Sequence, residues 1–490
     1  MAEAPALDVL IVGAGISGIS MAAHLKRMCP GLSFAMIDRR AALGGTWDLF
    51  RYPGVRSDSD MATLAFAFAP RAGDRAIASG EEIRAYLEQV AQDHALASHL
   101  RLGARVLAAE WRAAEALWRV EVERDGAREV LAARFLYLAS GYYDYDRPHD
   151  AELPRLERFG GAVVHPQFWP EGLALAGKRV VVVGSGATAV SLVPALAQAG
   201  AEVTMLQRTP SWMASQPSRD PINARLRRWL PERWALRADR FLKLQLGRAF
   251  FNRARSRPAK VAEYLRGKVR DALGPAYDPR HFEPPYNPWD QRLCLIPDGD
   301  LFEAIRSGAA RVVTERIAAF DATGVLLESG EHLPADVLVT ATGLRLQMGG
   351  GIEVSLDGEP VDWPLHWFYR NCMFSNVPNL AVVFGYLNAS WTLRADMVAD
   401  YVCRVLRHME DTGAKVAVPR LAEGHGLMED DIILYSSGYL QRAKPMMPKS
   451  AAALPWRLNQ DFVEDRRDYR RRPVADGVLR FRTAPGGVEG

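Results

Sequence analysis

The chain has 490 residues, of which 49% are hydrophobic and 24% charged. That is the composition of an ordinary globular protein of about two to four domains, and it excludes a disordered, collagen-like or disulfide-stapled chain. With 61 basic and 58 acidic residues the net charge is +3, too even to argue for nucleic acid as the main partner. Cys29, Cys294, Cys372 and Cys403 are scattered, with no C-x-x-C pair and no His/Cys cluster. This speaks against a dithiol redox centre and against a metal site, and free thiols fit a cytoplasmic location.

Leu7–Val12 is a short apolar run of buried-strand type, followed by Gly13-Ala14-Gly15-Ile16-Ser17-Gly18 and a helical pattern through Lys26. The apolar stretch Val9–Ala23 imitates a signal peptide, but only Glu3 and Asp8 carry charge before it, so a basic leader is missing. Ser33–Ile37 reads as a second strand ending at Asp38, which completes a βαβ unit. Asp38 stands 20 residues after Gly18, where a carboxylate can accept hydrogen bonds from a ribose. Gly13 permits the tight turn, Gly15 lets the backbone approach a pyrophosphate, and Gly18 allows close helix–sheet packing. The helix N-terminus offers its free N–H groups to the phosphates.

Glu81–Gln92 then reads as a helix, and Trp118–Glu123 and Phe135–Ala139 as strands. The βαβ pattern returns at Val180–Val183, followed by Gly184-Ser185-Gly186-Ala187-Thr188-Ala189, a helix through Ala197 and a strand Glu202–Leu206. The 22 uncharged residues Val180–Ala201 could nominally span a bilayer, but Gly184, Gly186 and Pro194 interrupt them, and a buried strand–turn–helix gives the same hydropathy. Where the first unit ends in an acid, the second ends in Gln207-Arg208-Thr209. An acid would repel a 2′-phosphate, whereas Arg208 can pair with it, which favours NADP over NAD; the structural alternative is a solvated Arg at a strand end. Two dinucleotide sites in one chain imply that one cofactor reduces the other, with FAD at the N-terminal site.

From Pro217 to about Gly274 the sequence is rich in Arg, Trp and Leu, and Ala238, Phe241, Leu242 and Leu246 keep helical spacing. The stretch reads as a helical insertion. Its basic part, Arg225 to Arg270, has two readings: a helical lid with a solvated Arg face, the commoner case, or an amphipathic patch against a membrane. Val337–Thr340 with Ala341-Thr342-Gly343 resembles a strand returning to a nucleotide sheet, the counterpart of Leu136–Ala139 with Ser140-Gly141. Asp461–Pro473 is polar, strongly basic and expected to be peripheral. The fold expected is α/β, with two Rossmann-like dinucleotide-binding domains and a helical insertion in the second. Residues 1–150 and a return over 341–490, with the C-terminal segment, would bind FAD. Residues 151–216 and 275–340 would bind NADPH, and 217–274 form the insertion.

Between the fingerprints, Phe159-Gly160-Gly161-Ala162-Val163-Val164-His165-Pro166-Gln167-Phe168-Trp169-Pro170 matches F-x-G-x-x-x-H-x-x-x-W-P at every fixed position. Gly44-Gly45-Thr46-Trp47, Tyr52-Pro53-Gly54 and Asp58 match G-G-x-W-x4-Y-P-G-x3-D. These are signatures of type I Baeyer–Villiger monooxygenases, which the chain resembles over nearly its whole length. Tyr286–Leu295 and Asn388–Leu393 resemble the ethionamide-activating branch, whose members oxidise ketones and thioamides. A longer N-terminal extension of the cyclohexanone-type relatives is absent, which argues against borrowing their substrate preferences.

The resemblance implies that NADPH reduces the flavin, oxygen adds to give a flavin peroxide, and the peroxide converts ketones to esters or lactones, with sulfides and thioamides as side substrates. By position in the matched segment, Arg292 is the catalytic cation, a group that stays protonated beside anionic oxygen, and Asp58 is its partner. On the residues alone, Arg292 could be a structural partner of Asp290 or Asp298, and Asp58 a solvated turn residue. The family pattern also places Ser17 by the flavin phosphates, Gly45, Thr46, Trp47, Asp48 and Leu49 near its ring, Val106 at the adenine, and Arg56 and Ser57 at the nicotinamide cofactor. His165 sits in the linker between nucleotide domains, where it is expected to govern domain movement rather than act as a base. Two other readings stand beside this one: a flavin N- or S-hydroxylating monooxygenase, and a non-catalytic NADP(H)-binding flavoprotein sensor. The sequence leaves the oligomeric state open.

Overall fold

The structure is a computed structural model and describes residues 5–431 and 436–483; residues 1–4, 432–435 and 484–490 lie outside it. Strand Leu7–Val12 runs parallel to Phe34–Asp38 on one side and to the end of Ala127–Leu138 on the other, with Leu10 opposite Ala35 and Leu136. Its residues Val9–Val12 are buried on both faces, which is why the sequence there is continuously apolar rather than alternating. An antiparallel meander, Ala104–Arg112, Leu117–Arg124 and Ala127–Leu138, widens this sheet to nine strands among the described residues. Leu380–Val382 returns late in the chain to pair in parallel with Leu136–Leu138.

The second sheet has five parallel strands in the order Ala310–Thr314, Glu202–Gln207, Arg179–Val183, Val337–Thr340 and Ala162–Val164. The fold is thus α/β with two Rossmann-like units, each headed by one glycine fingerprint. Both units use the glycine that opens the fingerprint in the same way. Gly13 has φ +113° and a Cβ there would lie 2.4 Å from Ala139 O; Gly184 has φ +138° and its Cβ would lie 2.3 Å from Ala341 O. The two strand–loop counterparts seen in the sequence therefore meet their fingerprints at matching contacts.

The helical insertion leaves the second unit after strand Met213–Gln216 and rejoins it at Cys294–Pro297. These two strands pair in parallel and clasp its base. Between them run helices Pro221–Trp229, Glu232–Ser256 and Pro258–Leu273. The long central helix is fixed to the first unit by Arg240, which donates to the carbonyls of Ala62 and Ala65 at 2.8 and 2.6 Å. Beside it Asp239 accepts from Asn223 Nδ2 at 2.9 Å, and Lys243 Nζ lies 2.7 Å from Asp220. Among the described residues, no helix is long and apolar enough to cross a membrane.

The C-terminal helix Phe462–Arg471 corrects the expectation of a peripheral tail. Asp465, Asp468 and Tyr469, one stripe at helical spacing, are buried. Asp465 pairs with Arg394 at 3.0 Å and Asp468 with Arg370 at 2.9 Å, and both arginines are fully buried. The basic residues that suggested a solvated tail occupy the opposite face. The stripe facing the protein is itself ionic, so hydropathy does not reveal it.

Asp239 gives this packing a pH signature. Burial pushes its carboxyl up to about 6; the Asn223 amide and Lys243 pull it down, and Asp220 and Asp60 push it up. The native state therefore holds this proton more tightly than the unfolded chain does, and stability falls as pH rises from about 4 to about 6. Asp239→Asn removes the ionisation and keeps an acceptor for Asn223. The variant is expected to melt higher than the parent at pH 8 but not at pH 4; an equal gain at both values would contradict the assignment.

Candidate active site

A cleft of ≈320 Å³ runs along the first fingerprint and reaches the second. Gly13, Gly15, Ser17 and Asp38 line it. A Cβ on Gly18 would lie 1.8 Å from Gly13 O, so the third glycine is required for the turn to close. Gly15 faces the signature glycine Gly45, whose Cβ would come within 3.0 Å of Gly15 Cα. Helix Ile16–Met28 starts at Gly15 with no side-chain cap, which leaves its first N–H groups for a ligand. Asp38 accepts from the backbone N–H groups of Ala14 at 2.7 Å and Arg40 at 2.9 Å, and burial raises its pKa against their pull. Val106 lines this same end. The buried hydroxyls of Ser140 and Ser390, both lining the cleft, have no hydrogen-bond partner among the described residues. An uncapped helix start and orphaned hydroxyls as donors, with a strand-end carboxylate as acceptor, fit a flavin dinucleotide.

The second fingerprint is divided between cleft and core. Helix Ala187–Gln198 also starts uncapped, at Gly186, where an added Cβ would meet open space. Ala187 and Thr188 line the cleft, while Ala189 is fully buried beneath it. The Ser185 hydroxyl donates to Thr209 O at 2.9 Å. Arg208 is exposed at the strand end, whereas Gln207 turns inward and donates to His281 O and Thr314 Oγ1, both at 2.8 Å. The glycine, the helix start and Arg208 fit an NADP dinucleotide; the Gln207 side chain is engaged elsewhere.

The second signature joins the two units. Trp47 and Thr46 line the cleft, but Asp48 and Leu49 do not; Asp48 is buried between Arg40 and Arg51, each 2.6 Å away. Gly54, at φ +78°, lies against the second fingerprint's helix, where a Cβ would be 2.3 Å from Ser191 O. Pro194 in that helix has no N–H for Val190 O, four residues back. Arg56 takes up this freed carbonyl, donating to it at 3.2 Å while pairing with Asp300. Ser57 is buried, and its hydroxyl accepts from Ala78 N at 3.3 Å.

Arg292 and Asp58 stand where this cleft meets a larger cavity of ≈820 Å³ between the insertion and the C-terminal segment; both residues line both spaces. Arg292 Nε lies 2.9 Å from Asp58 Oδ2. Burial opposes the charge on Arg292, yet Asp58 and the phenols of Tyr439, Tyr142 and Tyr143 together raise its pKa above the ordinary value. Burial in turn pushes the three tyrosines up, so they remain neutral around the cation.

These tyrosines are the residues that sequence reasoning missed. Tyr142 stacks on Trp391 with ring centroids 4.8 Å apart, and Trp391 Nε1 donates to Ser17 Oγ at 2.9 Å. The run Tyr142-Tyr143-Asp144-Tyr145, directly after Ser140-Gly141 at a strand's carboxyl end, was the available signal. Tyr145 shares a hydrogen bond with Thr46 at 3.2 Å. His165 lines the cleft; its Nδ1 accepts from Gln167 N at 3.2 Å, and burial lowers its pKa, which keeps it neutral.

Comparison with known proteins identifies the family of the chain. A family model described as "Pyridine nucleotide-disulphide oxidoreductase" matches residues 10–238. The chain is 47% identical over 486 residues to "FAD-containing monooxygenase EthA" of Mycobacterium tuberculosis, covering 98% of this chain and 99% of that one. It is 44% identical over 479 residues to "Probable FAD-binding monooxygenase AlmA" of Acinetobacter baylyi, covering 97% and 96%. Among solved structures, "Oxidized steroid monooxygenase bound to NADP" superposes with a TM-score of 0.75 at 20% identity, over 98% of this chain and all of that one. The chain belongs to the FAD-containing monooxygenases, and it carries the two signatures that resemble those of the type I Baeyer–Villiger group. The disulphide-oxidoreductase match extends to the scaffold only, since all four cysteines are free and buried and none lines the cleft.

The loop that ends at Trp391, the first residue of helix Trp391–Thr412, is anchored from behind by Arg394, which donates to Phe384 O at 3.1 Å and pairs with the fully buried Asp465. Arg394→Leu would leave that carboxylate uncompensated in the interior, at a cost of about 3–5 kcal/mol. A urea titration of the flavin-loaded protein is expected to show the midpoint falling accordingly. An unchanged midpoint would mean that the pair contributes nothing to holding the loop.

Proposed function

We propose that this chain is an NADPH-dependent Baeyer–Villiger monooxygenase that inserts one atom of O2 beside the carbonyl of apolar ketones, giving esters or lactones. Sulfides and thioamides are side substrates of the same centre. Bound FAD, reduced by NADPH, supplies the activated oxygen. The nine-strand unit holds FAD and the five-strand unit holds NADPH, so residues 1–150 and 341–490 serve the first, and 151–216 with 275–340 the second.

One observation supports this reading above others: a cation fixed at the junction of the dinucleotide cleft and a separate, larger cavity. Oxygen insertion at a carbonyl builds negative charge on oxygen, and a preset positive charge in a water-poor site stabilises it far more than solvent would. Arg292 keeps its proton there, so it stabilises anionic oxygen without quenching it. Asp58 orients the guanidinium, and the neutral tyrosines around it add polarity without a competing charge. The ketone would enter through the ≈820 Å³ cavity, whose wall includes Phe250, Phe251 and Trp289. Ser17 and the helix start behind it hold the flavin phosphates, and Arg208 holds the 2′-phosphate of NADPH.

Arg292→Ala is expected to lower ester formation by about 10²–10³-fold while anaerobic flavin reduction by NADPH continues. Wild-type ester formation by that variant would overturn the assignment and favour an N- or S-hydroxylating enzyme. Product analysis under oxygen also separates both from a non-catalytic sensor. Arg208→Ala is expected to raise KM for NADPH by about tenfold or more and leave KM for NADH little changed, as loss of a bidentate phosphate contact predicts. Equal effects on the two nucleotides would show that Arg208 does not read the 2′-phosphate.

A further inference from the structure

The helical insertion carries an unpartnered face. Trp229 is 84% exposed, Phe241 58% and Trp234 49%. On the helix Glu232–Ser256, Trp234 and Phe241 are two turns apart on one outward face, opposite the buried Ala235, Asp239 and Ala254. Trp229 and Leu230 extend the patch at the corner where helix Pro221–Trp229 ends. Soluble surfaces seldom gather tryptophan and phenylalanine in this way without a use for them.

The charge around the patch selects the occupant. From residue 225 to 257 the chain has eleven arginines and lysines against two acids, Glu232 and Asp239. Asp239 is buried and Glu232 is paired with Arg227, so neither neutralises the outer face. Arg225, Arg228, Arg233 and Arg237 are exposed and take no carboxylate partner among the described residues. Arg233 and Arg237 instead lie against the Trp234 ring, at 5.8 and 5.2 Å. Indole rings interleaved with arginines match the headgroup region of an anionic bilayer, where the ring sits at the polar boundary and the guanidinium meets phosphate. A protein partner would need a complementary acidic surface, and a second copy seated across a two-fold axis would set this basic patch against itself.

The position of the patch gives docking a consequence. Leu246 and Tyr264 are 54% and 57% exposed, and both also line the ≈820 Å³ cavity. Leu246 stands two turns from Asp239, so the helix that carries the aromatic patch on one face lines the cavity with another. We propose that the insertion docks the protein on an anionic phospholipid surface through Trp229, Trp234 and Phe241 with their flanking arginines. The helix that docks also walls the larger cavity, so docking would hold that cavity within a helix width of the lipid, where apolar ketones concentrate. The docking claim does not depend on the reaction assigned above; only the delivery of ketone does.

Flotation of the flavin-loaded protein with vesicles tests it, comparing phosphatidylcholine alone with phosphatidylcholine containing phosphatidylglycerol. Binding is expected on the anionic vesicles, weakening as salt is raised, with a blue shift in tryptophan emission. Trp229→Ala with Phe241→Ala, and separately Arg225→Glu with Arg228→Glu and Arg233→Glu, should each lower the bound fraction by about tenfold or more. Flavin absorbance and NADPH oxidation in vesicle-free buffer should stay at parental levels, which excludes misfolding as the cause. The proposal is overturned if the parent does not float with anionic vesicles, or if both variants bind as the parent does. It is also overturned if the parent is a dimer that Trp229→Ala dissociates, because a second copy then covers the face.

Discussion

The structure is organised around keeping one guanidinium charged in a place that is otherwise hostile to charge. Arg292 is half-buried in the angle between two cavities, its side chain 29% exposed, and the desolvation that remains works against its charge. A single carboxylate at 2.9 Å offsets that cost, and the hydroxyls of Tyr142, Tyr143 and Tyr439 around the pair are polar without being ionised. Replacing Asp58 with a second cation or Tyr142 with an acid would destroy this balance in opposite directions. The site needs a cation whose charge does not depend on pH, and of the side chains available only arginine supplies it.

Holding that cation in register requires both nucleotide units to stay in contact, and the chain achieves this through backbone rather than through bulky side chains. Gly54 brings the second signature against the helix of the second fingerprint, closer than any other residue would allow. Pro194 then leaves one carbonyl of that helix without its helical donor, and Arg56 occupies it. A proline inside a helix is ordinarily a defect; here it creates the acceptor to which the neighbouring segment is tied. Asp58 lies only two residues beyond Arg56, so the contact between units and the partner of Arg292 belong to the same short segment. Movement of one unit against the other would therefore be felt at the ion pair.

Much of this was legible in the sequence, for reasons that differ from part to part. Val9–Val12 and Val180–Val183 are buried on both faces and so appear as unbroken apolar runs, and the glycines that follow are fixed by contacts no Cβ could tolerate. The spacing of Asp58 from Gly54 is rigid because the intervening residues are committed to the join between units. What could not be read depended on side chains meeting across long separations. The buried face of helix Phe462–Arg471 is made of Asp465 and Asp468, and nothing local distinguishes them from solvated acids until Arg394 and Arg370 are placed opposite. Gln207 occupies a strand end where a ligand contact was expected, yet its amide is consumed by His281 and Thr314, more than seventy residues away. The tyrosines around Arg292 escaped notice because an aromatic run after a strand is more often core than active site.

The match of the N-terminal half to pyridine nucleotide–disulphide oxidoreductases shows how little the scaffold alone determines. Two dinucleotide units deliver electrons to a flavin in either case; what differs is the group waiting beyond it. A dithiol acceptor needs two sulfurs within bonding distance at the mouth of the cleft, and here every cysteine is buried away from it, with burial pushing the thiols of Cys294 and Cys372 up to about 12. Such thiols are poor nucleophiles and poor electron acceptors at neutral pH. At the end of its cleft this chain instead places a permanent cation facing a cavity of ≈820 Å³. On the function proposed above, the same scaffold would serve a different terminal step, and the change would rest on a few side chains around Arg292 rather than on the sheets that carry them.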